Sequence, residues 1–238
     1  MMGNRIGFQS QNRTARIAGL LYSLMIPLAA FGVMYAPTSL VIEGNVEATI
    51  ANVLANGHMF RLSILSALVV QVCHIFIVLF LYKLLKPVNR SIAGLMVIFM
   101  LTSVPIAMVN ELNHYGVLFT IHNDVSVGGT LADQTKNMIV LFFQLRQYGI
   151  VIAGIFWGLW LLPMGYLVYK SNFLPKALGI VLIIASFFYV CDSFLSLGIP
   201  GYGETLSAAV MKIPLYGELL FPLWLLFKGI QPSFDTTQ

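Results

Sequence analysis

Six long apolar runs dominate the sequence and constrain its fold more than any other feature. A helix that crosses a membrane needs about 20 mostly apolar residues. Runs of this kind lie at about 16–35, 62–82, 92–119, 148–169, 177–197 and 210–228. Only 9% of the 238 residues are charged, against about 25% in an ordinary soluble domain. The sequence therefore predicts an all-α, polytopic membrane helix bundle with six transmembrane helices in a single domain.

The basic residues predict the orientation of this bundle, because Lys and Arg are enriched in cytoplasmic loops. Nine of the 13 basic residues lie on one side of the predicted spans. They are Arg5, Arg13, Arg16, Lys83, Lys86, Arg90, Lys170, Lys176 and Lys228. The other four are Arg61, Lys136, Arg146 and Lys212. We therefore expect both termini in the cytoplasm.

The longer loops then lie on the outer side and include two predicted surface helices. Residues 45–60 carry Val46, Ile50, Val53 and Leu54 at helical spacing, which is typical of an amphipathic helix. Residues 133–147 form the second predicted helix, with Asp133 as its N-cap, and run on towards the fourth span. In the third span, Pro105 predicts a tilt or a kink.

Several classes of function are excluded by what the sequence lacks. The net charge of +4 comes from basic residues scattered between apolar runs, so we expect no nucleic-acid surface. No GxxxxGK[ST] or GxGxxG motif is present, which argues against a bound nucleotide. The two cysteines, Cys73 and Cys191, lie inside apolar runs and form no metal motif. We expect no cofactor, and the lipid bilayer as the main partner.

Several stretches resemble one known family. They are RTARIAGLLY (13–22), FRLSILSALV (60–69), LYKLLKPVNRSIA (81–93), YLVYKSNFLPKALGIVL (166–182) and YGELLFPLWLLFKG (216–229). They resemble the uncharacterised bacterial multi-pass membrane proteins grouped as domain of unknown function 4386. The resemblance implies a multi-pass protein of the bacterial cytoplasmic membrane. It implies no activity, so function has to be argued from the residues.

Ionisable residues inside the predicted spans are the strongest indication of function. A charge near the bilayer centre costs at least about 2.5–3.5 kcal/mol, so such residues usually face partners or water. A rise of about 1.5 Å per residue places several of them in the outer half of the bundle. The set predicted to bind a ligand or protons is Arg61, Glu111, His114, Arg146, Asp192 and Glu218. We expect these side chains to line a polar pocket open to the outside.

Two other interpretations of the same residues stay open. The Arg–acid pairs could instead lock helices together, as in a non-catalytic structural or envelope-stress protein. Glu111 and His114 also match, once, the Glu-x-x-His spacing of metal-binding helix bundles. A metal-assisted membrane enzyme is therefore a second alternative, although no metal site is assigned and a non-enzymatic role is favoured. The leading hypothesis is a membrane protein that binds or transports a small polar solute or protons.

Overall fold

The computed structural model describes the backbone of residues 2–125, 133–199, 201–202 and 212–231. Side chains are described for 7–123, 133–199, 201–202 and 217–231. Every regular element in these ranges is helical. The α-helices are α1 (Met2–Ala29), α2 (Ala36–Leu40), α3 (Val46–Ala55), α4 (Gly57–Leu85), α5 (Arg90–Asn110), α6 (Leu112–Val125), α7 (Asp133–Lys170), α8 (Lys176–Gly198) and α9 (Lys212–Phe227). A π-helical segment, Ala30–Tyr35, joins α1 to α2.

Five helical stretches in the described part of the chain are long and apolar enough to cross a membrane. They are Gly7–Leu40, Gly57–Leu85, Arg90–Asn123, Asp133–Lys170 and Lys176–Gly198. The first five predicted spans fall within them. The predicted sixth span, 210–228, corresponds to α9, whose 16 residues rise only about 24 Å. Residues 210 and 211 lie outside the described ranges. The protein is thus an all-α membrane bundle.

The chain divides into two compact units. Unit 1 comprises Met1–Leu24, Cys73–Val104 and Ala153–Gln238, and unit 2 comprises Met25–Val72 and Pro105–Ile152. The division falls within α1, α4, α5 and α7, so each of these helices contributes residues to both units. Helices α8 and α9 belong to unit 1, whereas α3 and α6 belong to unit 2.

Two of the sequence-predicted elements differ in their bounds. The predicted helix 45–60 is α3 followed by the start of α4, because α3 ends at Ala55, Asn56 is its C-cap, and a new helix begins at Gly57. Asn and Gly are both poor helix formers, which accounts for the break. Asn45 caps α3, its side-chain oxygen accepting a hydrogen bond from the Ala48 amide at 2.9 Å. Residues 133–147 are the first part of α7 rather than a separate surface helix.

The third spanning stretch is interrupted at Glu111, between α5 and α6. The Glu111 amide bonds the Met108 carbonyl, three residues back, at 3.2 Å. Pro105, the residue predicted to tilt or kink this span, lies inside α5 six residues earlier. The interruption therefore places an acidic residue at the junction of two helices.

Glycines bring helices of unit 1 close together. A Cβ at Gly19 of α1 would lie 2.8 Å from the Pro222 carbonyl oxygen of α9. A Cβ at Gly165 of α7 would lie 2.8 Å from the Gly179 carbonyl oxygen of α8. Small residues at such crossings allow close backbone approach in membrane bundles. In this way α1 packs closely on α9, which carries Glu218, and α7 packs closely on α8, which carries Asp192.

Candidate functional site: two buried acidic clusters

Glu111 is the centre of a buried ionic cluster in unit 2. Arg146 of α7 donates from Nη2 to Glu111 Oε1 at 3.3 Å. His114, one turn further along, places Nδ1 at 3.0 Å from Glu111 Oε2. The exposed fractions are 5% for Glu111, 3% for Arg146 and 1% for His114. Three of the six sequence-predicted site residues therefore form one cluster, hereafter the Glu111 cluster.

Two asparagines fix the geometry of the Glu111 cluster. Asn110, the last residue of α5, donates from Nδ2 to the Arg146 backbone carbonyl at 2.9 Å. Asn113 donates in turn to the Asn110 side-chain oxygen at 3.0 Å. Gly149, one turn beyond Arg146, leaves the space that the Asn110 side chain occupies. The end of α5 is thus held against α7 at the level where Arg146 meets Glu111.

Aromatic rings enclose the histidine of this cluster. The Phe60 ring of α4 lies 4.8 Å from the His114 ring, and the Phe143 ring of α7 lies 6.1 Å from it, both between centroids. Phe60 also belongs to the apolar core of unit 2, with Ile64 and Val117. His114 therefore has a carboxylate at one ring nitrogen and aromatic side chains around the ring.

Glu218 of α9 is the centre of a different cluster, in unit 1. The Tyr189 hydroxyl of α8 donates to Glu218 Oε2 at 2.8 Å. The Tyr22 hydroxyl of α1 approaches Oε1 at 3.5 Å, the outer limit for a hydrogen bond. No Lys, Arg or His side chain among the described residues forms an ion pair with Glu218. Its carboxyl group is therefore held by hydroxyl donors, not by a cation.

Asp192 extends this cluster towards the end of α8. It lies one turn after Tyr189, so the two side chains share a helix face. Tyr202, which follows α8, donates to Asp192 Oδ1 at 3.0 Å. Partial burial and this hydrogen bond raise the pKa of the Tyr202 hydroxyl above its ordinary value. We call the set Tyr22, Glu218, Tyr189, Asp192 and Tyr202 the carboxyl–tyrosine cluster.

The remaining sequence-predicted site residue, Arg61, is exposed. It forms no ion pair with any residue that the structure describes. Helix α4 begins at Gly57, five residues before the predicted start of the second span, so Arg61 lies within the first turns of that helix. The six predicted residues thus comprise three in the Glu111 cluster, two in the carboxyl–tyrosine cluster, and exposed Arg61. The single pocket expected from the sequence stays a prediction.

The tyrosines were missed by the sequence analysis. Tyr22 and Tyr189 lie inside apolar runs, where an aromatic residue is usually read as core packing. The feature that could have indicated their role is the hydroxyl group, because a buried Tyr O–H needs a hydrogen-bond acceptor. Asp192 and Glu218 are the acids of the fifth and sixth apolar runs, and Tyr189 lies three residues before Asp192. Pairing buried tyrosines with intramembrane acids would have indicated this cluster.

The metal hypothesis for Glu111 and His114 finds no further ligands in the ranges that the structure describes. The two side chains bond to each other, and Arg146 occupies the second carboxylate oxygen. Among the described residues, no group of three or more His, Cys, Asp or Glu side chains converges in a way that could hold a metal ion. The donor set therefore fits a hydrogen-bonded ion pair better than a metal centre.

Comparison with known proteins identifies the family. An uncharacterised protein of the archaeon Archaeoglobus fulgidus is 29% identical over 167 residues, which cover 70% of this chain and 83% of the relative. No solved structure matches the chain. The family described as a domain of unknown function, DUF4386, matches residues 17–229. This match spans nearly all of the membrane helices, and the chain therefore belongs to the DUF4386 family.

Proposed function

We propose that this protein is a multi-pass protein of the cytoplasmic membrane that binds and transfers protons through the carboxyl–tyrosine cluster. The observation that carries the proposal is Glu218, a carboxyl group held by Tyr189 at 2.8 Å and paired with no base among the described side chains. Intramembrane acids commonly mark ion pathways and proton relays. The proposal also covers a transporter that couples the movement of a small polar solute to the movement of these protons.

The order of groups in the cluster supports a relay. Tyr202 lies beyond the spanning part of α8 and donates to Asp192. Tyr189 is about 14 Å along the helix axis from the end of α8 and donates to Glu218. In the proposed relay, the Tyr189 hydroxyl gives its proton to the Glu218 carboxylate and receives one that comes from Asp192, which lies one turn away on the same face of α8. The hydroxyl is unchanged at the end of such a transfer, and one proton has moved.

Proton flux into liposomes tests the proposal. The full chain is reconstituted with a pH-sensitive dye inside, and a pH gradient is applied with potassium and valinomycin to balance charge. We expect the unaltered protein to give a proton flux above that of empty liposomes. In Glu218→Gln and in Tyr189→Phe, we expect this flux to be at least tenfold lower. The matched control is Glu43→Gln, which alters an exposed acid. Equal flux in Glu218→Gln and the unaltered protein would overturn the proposal.

Infrared spectroscopy keeps the proposal testable if flux needs a co-transported solute. A carboxyl group that gains and loses a proton shows a C=O stretching band that depends on pH. We expect one such band to vanish in Glu218→Gln and to shift in Tyr189→Phe. A difference spectrum with no band that depends on Glu218 would contradict proton binding there.

The Glu111 cluster favours a second candidate, a structural role. Its acid is already paired with Arg146 and His114, and Asn110 ties the arginine backbone to α5. Such a network holds helices in place without needing a ligand. If Glu218→Gln and Tyr189→Phe lower only the melting temperature and leave flux and infrared bands unchanged, the protein is a non-catalytic structural component of the envelope.

A further inference from the structure

Two buried nitrogen atoms of the Glu111 cluster have no hydrogen-bond partner in the described part of the chain. They are His114 Nε2 and Arg146 Nε. The two residues are only 1% and 3% exposed. Buried polar atoms in proteins are nearly always hydrogen-bonded, and an exception calls for an explanation such as a bound molecule. The cluster, which is otherwise well connected, thus has two buried polar atoms without a partner among the described residues.

The hydrogen bond to Glu111 decides what His114 offers. A carboxylate can only accept, so Nδ1 carries the proton in the 3.0 Å contact with Glu111 Oε2. In the neutral ring, Nε2 is then left with a lone pair and acts as an acceptor. Arg146 Nε, by contrast, carries a hydrogen and acts as a donor. A hydroxyl group, which both donates and accepts, suits either atom.

The charge of the cluster selects against ionic ligands. The Glu111 carboxylate and the Arg146 guanidinium already balance each other at 3.3 Å. A charged ligand would therefore be buried without a counter-charge, which is strongly unfavourable. A neutral ligand with a hydroxyl group meets no such cost.

The rings beside His114 indicate the rest of the ligand. Phe60 and Phe143 lie 6.4 Å apart in an edge-to-face arrangement, and both contact the histidine ring. Aromatic rings pair favourably with one another in tilted or edge-to-face geometry. We propose that His114 Nε2 accepts a hydrogen bond from a neutral, membrane-soluble aromatic alcohol, the chemical class of phenols and hydroquinones.

The experiment compares two probes whose phenolic oxygen carries a hydrogen in one and a methyl group in the other. The binding of tritiated 4-hexylphenol and of its tritiated methyl ether to the full chain in nanodiscs is measured by equilibrium dialysis. Empty nanodiscs of the same lipid correct for the partitioning of each probe into the bilayer. Because the ether cannot donate, we expect it to bind about tenfold more weakly. His114→Phe, which keeps an aromatic ring but removes the acceptor, abolishes that difference. His74→Phe, a buried histidine of unit 1, leaves it intact.

Nitrogen NMR of the unaltered protein covers the case in which His114→Phe does not fold. With 15N-labelled histidine, 4-hexylphenol moves the His114 Nε2 signal and leaves the His74 signals unchanged. Equal affinity of the two probes, or a His114 signal that does not respond, would overturn the inference. The site is in a different unit from the carboxyl–tyrosine cluster, so Glu218→Gln leaves phenol binding unchanged whether or not the protein carries protons.

Discussion

Arg146 Nη2 lies 3.3 Å from Glu111 Oε1, and the two side chains are 4% and 7% exposed. A pair buried in this way depends on both members. Removing one partner leaves an uncompensated charge in a medium that solvates it poorly. The pair also supports His114 and, through the Arg146 carbonyl, Asn110. Loss of the arginine side chain therefore leaves Glu111 with His114 as its remaining partner among the described side chains, whereas the backbone carbonyl that Asn110 bonds stays in place.

Arg146→Gln is expected to lower the free energy of unfolding by about 3–5 kcal/mol, the usual cost of breaking a buried ion pair. The measurement is the denaturation midpoint of the purified protein in detergent, followed by circular dichroism. Arg61→Gln is the matched control, because Arg61 is an exposed arginine and its loss should change stability by at most about 0.5 kcal/mol. Similar midpoints for the two variants would contradict a structural role for the pair.

Gly149→Ala is expected to destabilise the protein by roughly 1–3 kcal/mol, the usual cost of overpacking. The new Cβ would collide with the Asn110 side chain, which bonds the Arg146 carbonyl. Gly94→Ala provides the comparison. A Cβ at Gly94 of α5 meets nothing within 4 Å, so alanine there should be neutral or stabilise by up to about 1 kcal/mol. The melting temperature should therefore fall in Gly149→Ala, and in Gly94→Ala it should stay unchanged or rise.

Tyr189→Phe is expected to lower stability more than Tyr22→Phe. Both substitutions remove one hydroxyl that points to Glu218, at 2.8 Å from Tyr189 and 3.5 Å from Tyr22. A hydrogen bond at the shorter distance contributes about 1.5–3 kcal/mol when its acceptor is a carboxylate, and one at 3.5 Å contributes little. Denaturation midpoints of the two variants test the order. Equal losses would show that the two hydroxyls hold Glu218 equally.

The contact between Glu47 of α3 and Lys136 of α7 predicts a pH dependence. Lys136 Nζ lies 2.8 Å from Glu47 Oε1, and this hydrogen bond lowers the pKa of Glu47. A group with a lowered pKa stabilises the folded state above its unfolded pKa of 4.5, and that contribution is lost as the pH falls through the folded value. Carboxyl 13C NMR should show the Glu47 pKa rising in Lys136→Met. An unchanged value would mean that the pair does not form in solution.

The apolar runs predicted the class of fold well, because a span has to be apolar along its whole length in order to cross a membrane. Helix faces were harder to predict. Arg61 and Arg146 both mark the ends of apolar runs, yet one side chain is exposed and the other is buried. Runs that are apolar on every side carry no periodic signal that distinguishes their faces.

Part of the candidate site could be read from local spacing. Glu111 and His114 are three residues apart, so helical geometry alone predicts that they share a face. The partners of Glu218 could not be found in this way. Tyr22 is 196 residues away along the chain, and only the packing of α1 against α9 brings it near. A tyrosine in an apolar run also looks like a packing residue until its acceptor is known.

The helix interruption at Glu111 restricts insertions and deletions. Glu111 and His114 meet because they are three positions apart, and each residue turns a helix by about 100°. An insertion between them would rotate the imidazole away from the carboxylate. An insertion in the loop before α5 would leave their relative register unchanged. We therefore expect this protein to tolerate an added residue in the loop before α5 better than one between Glu111 and His114.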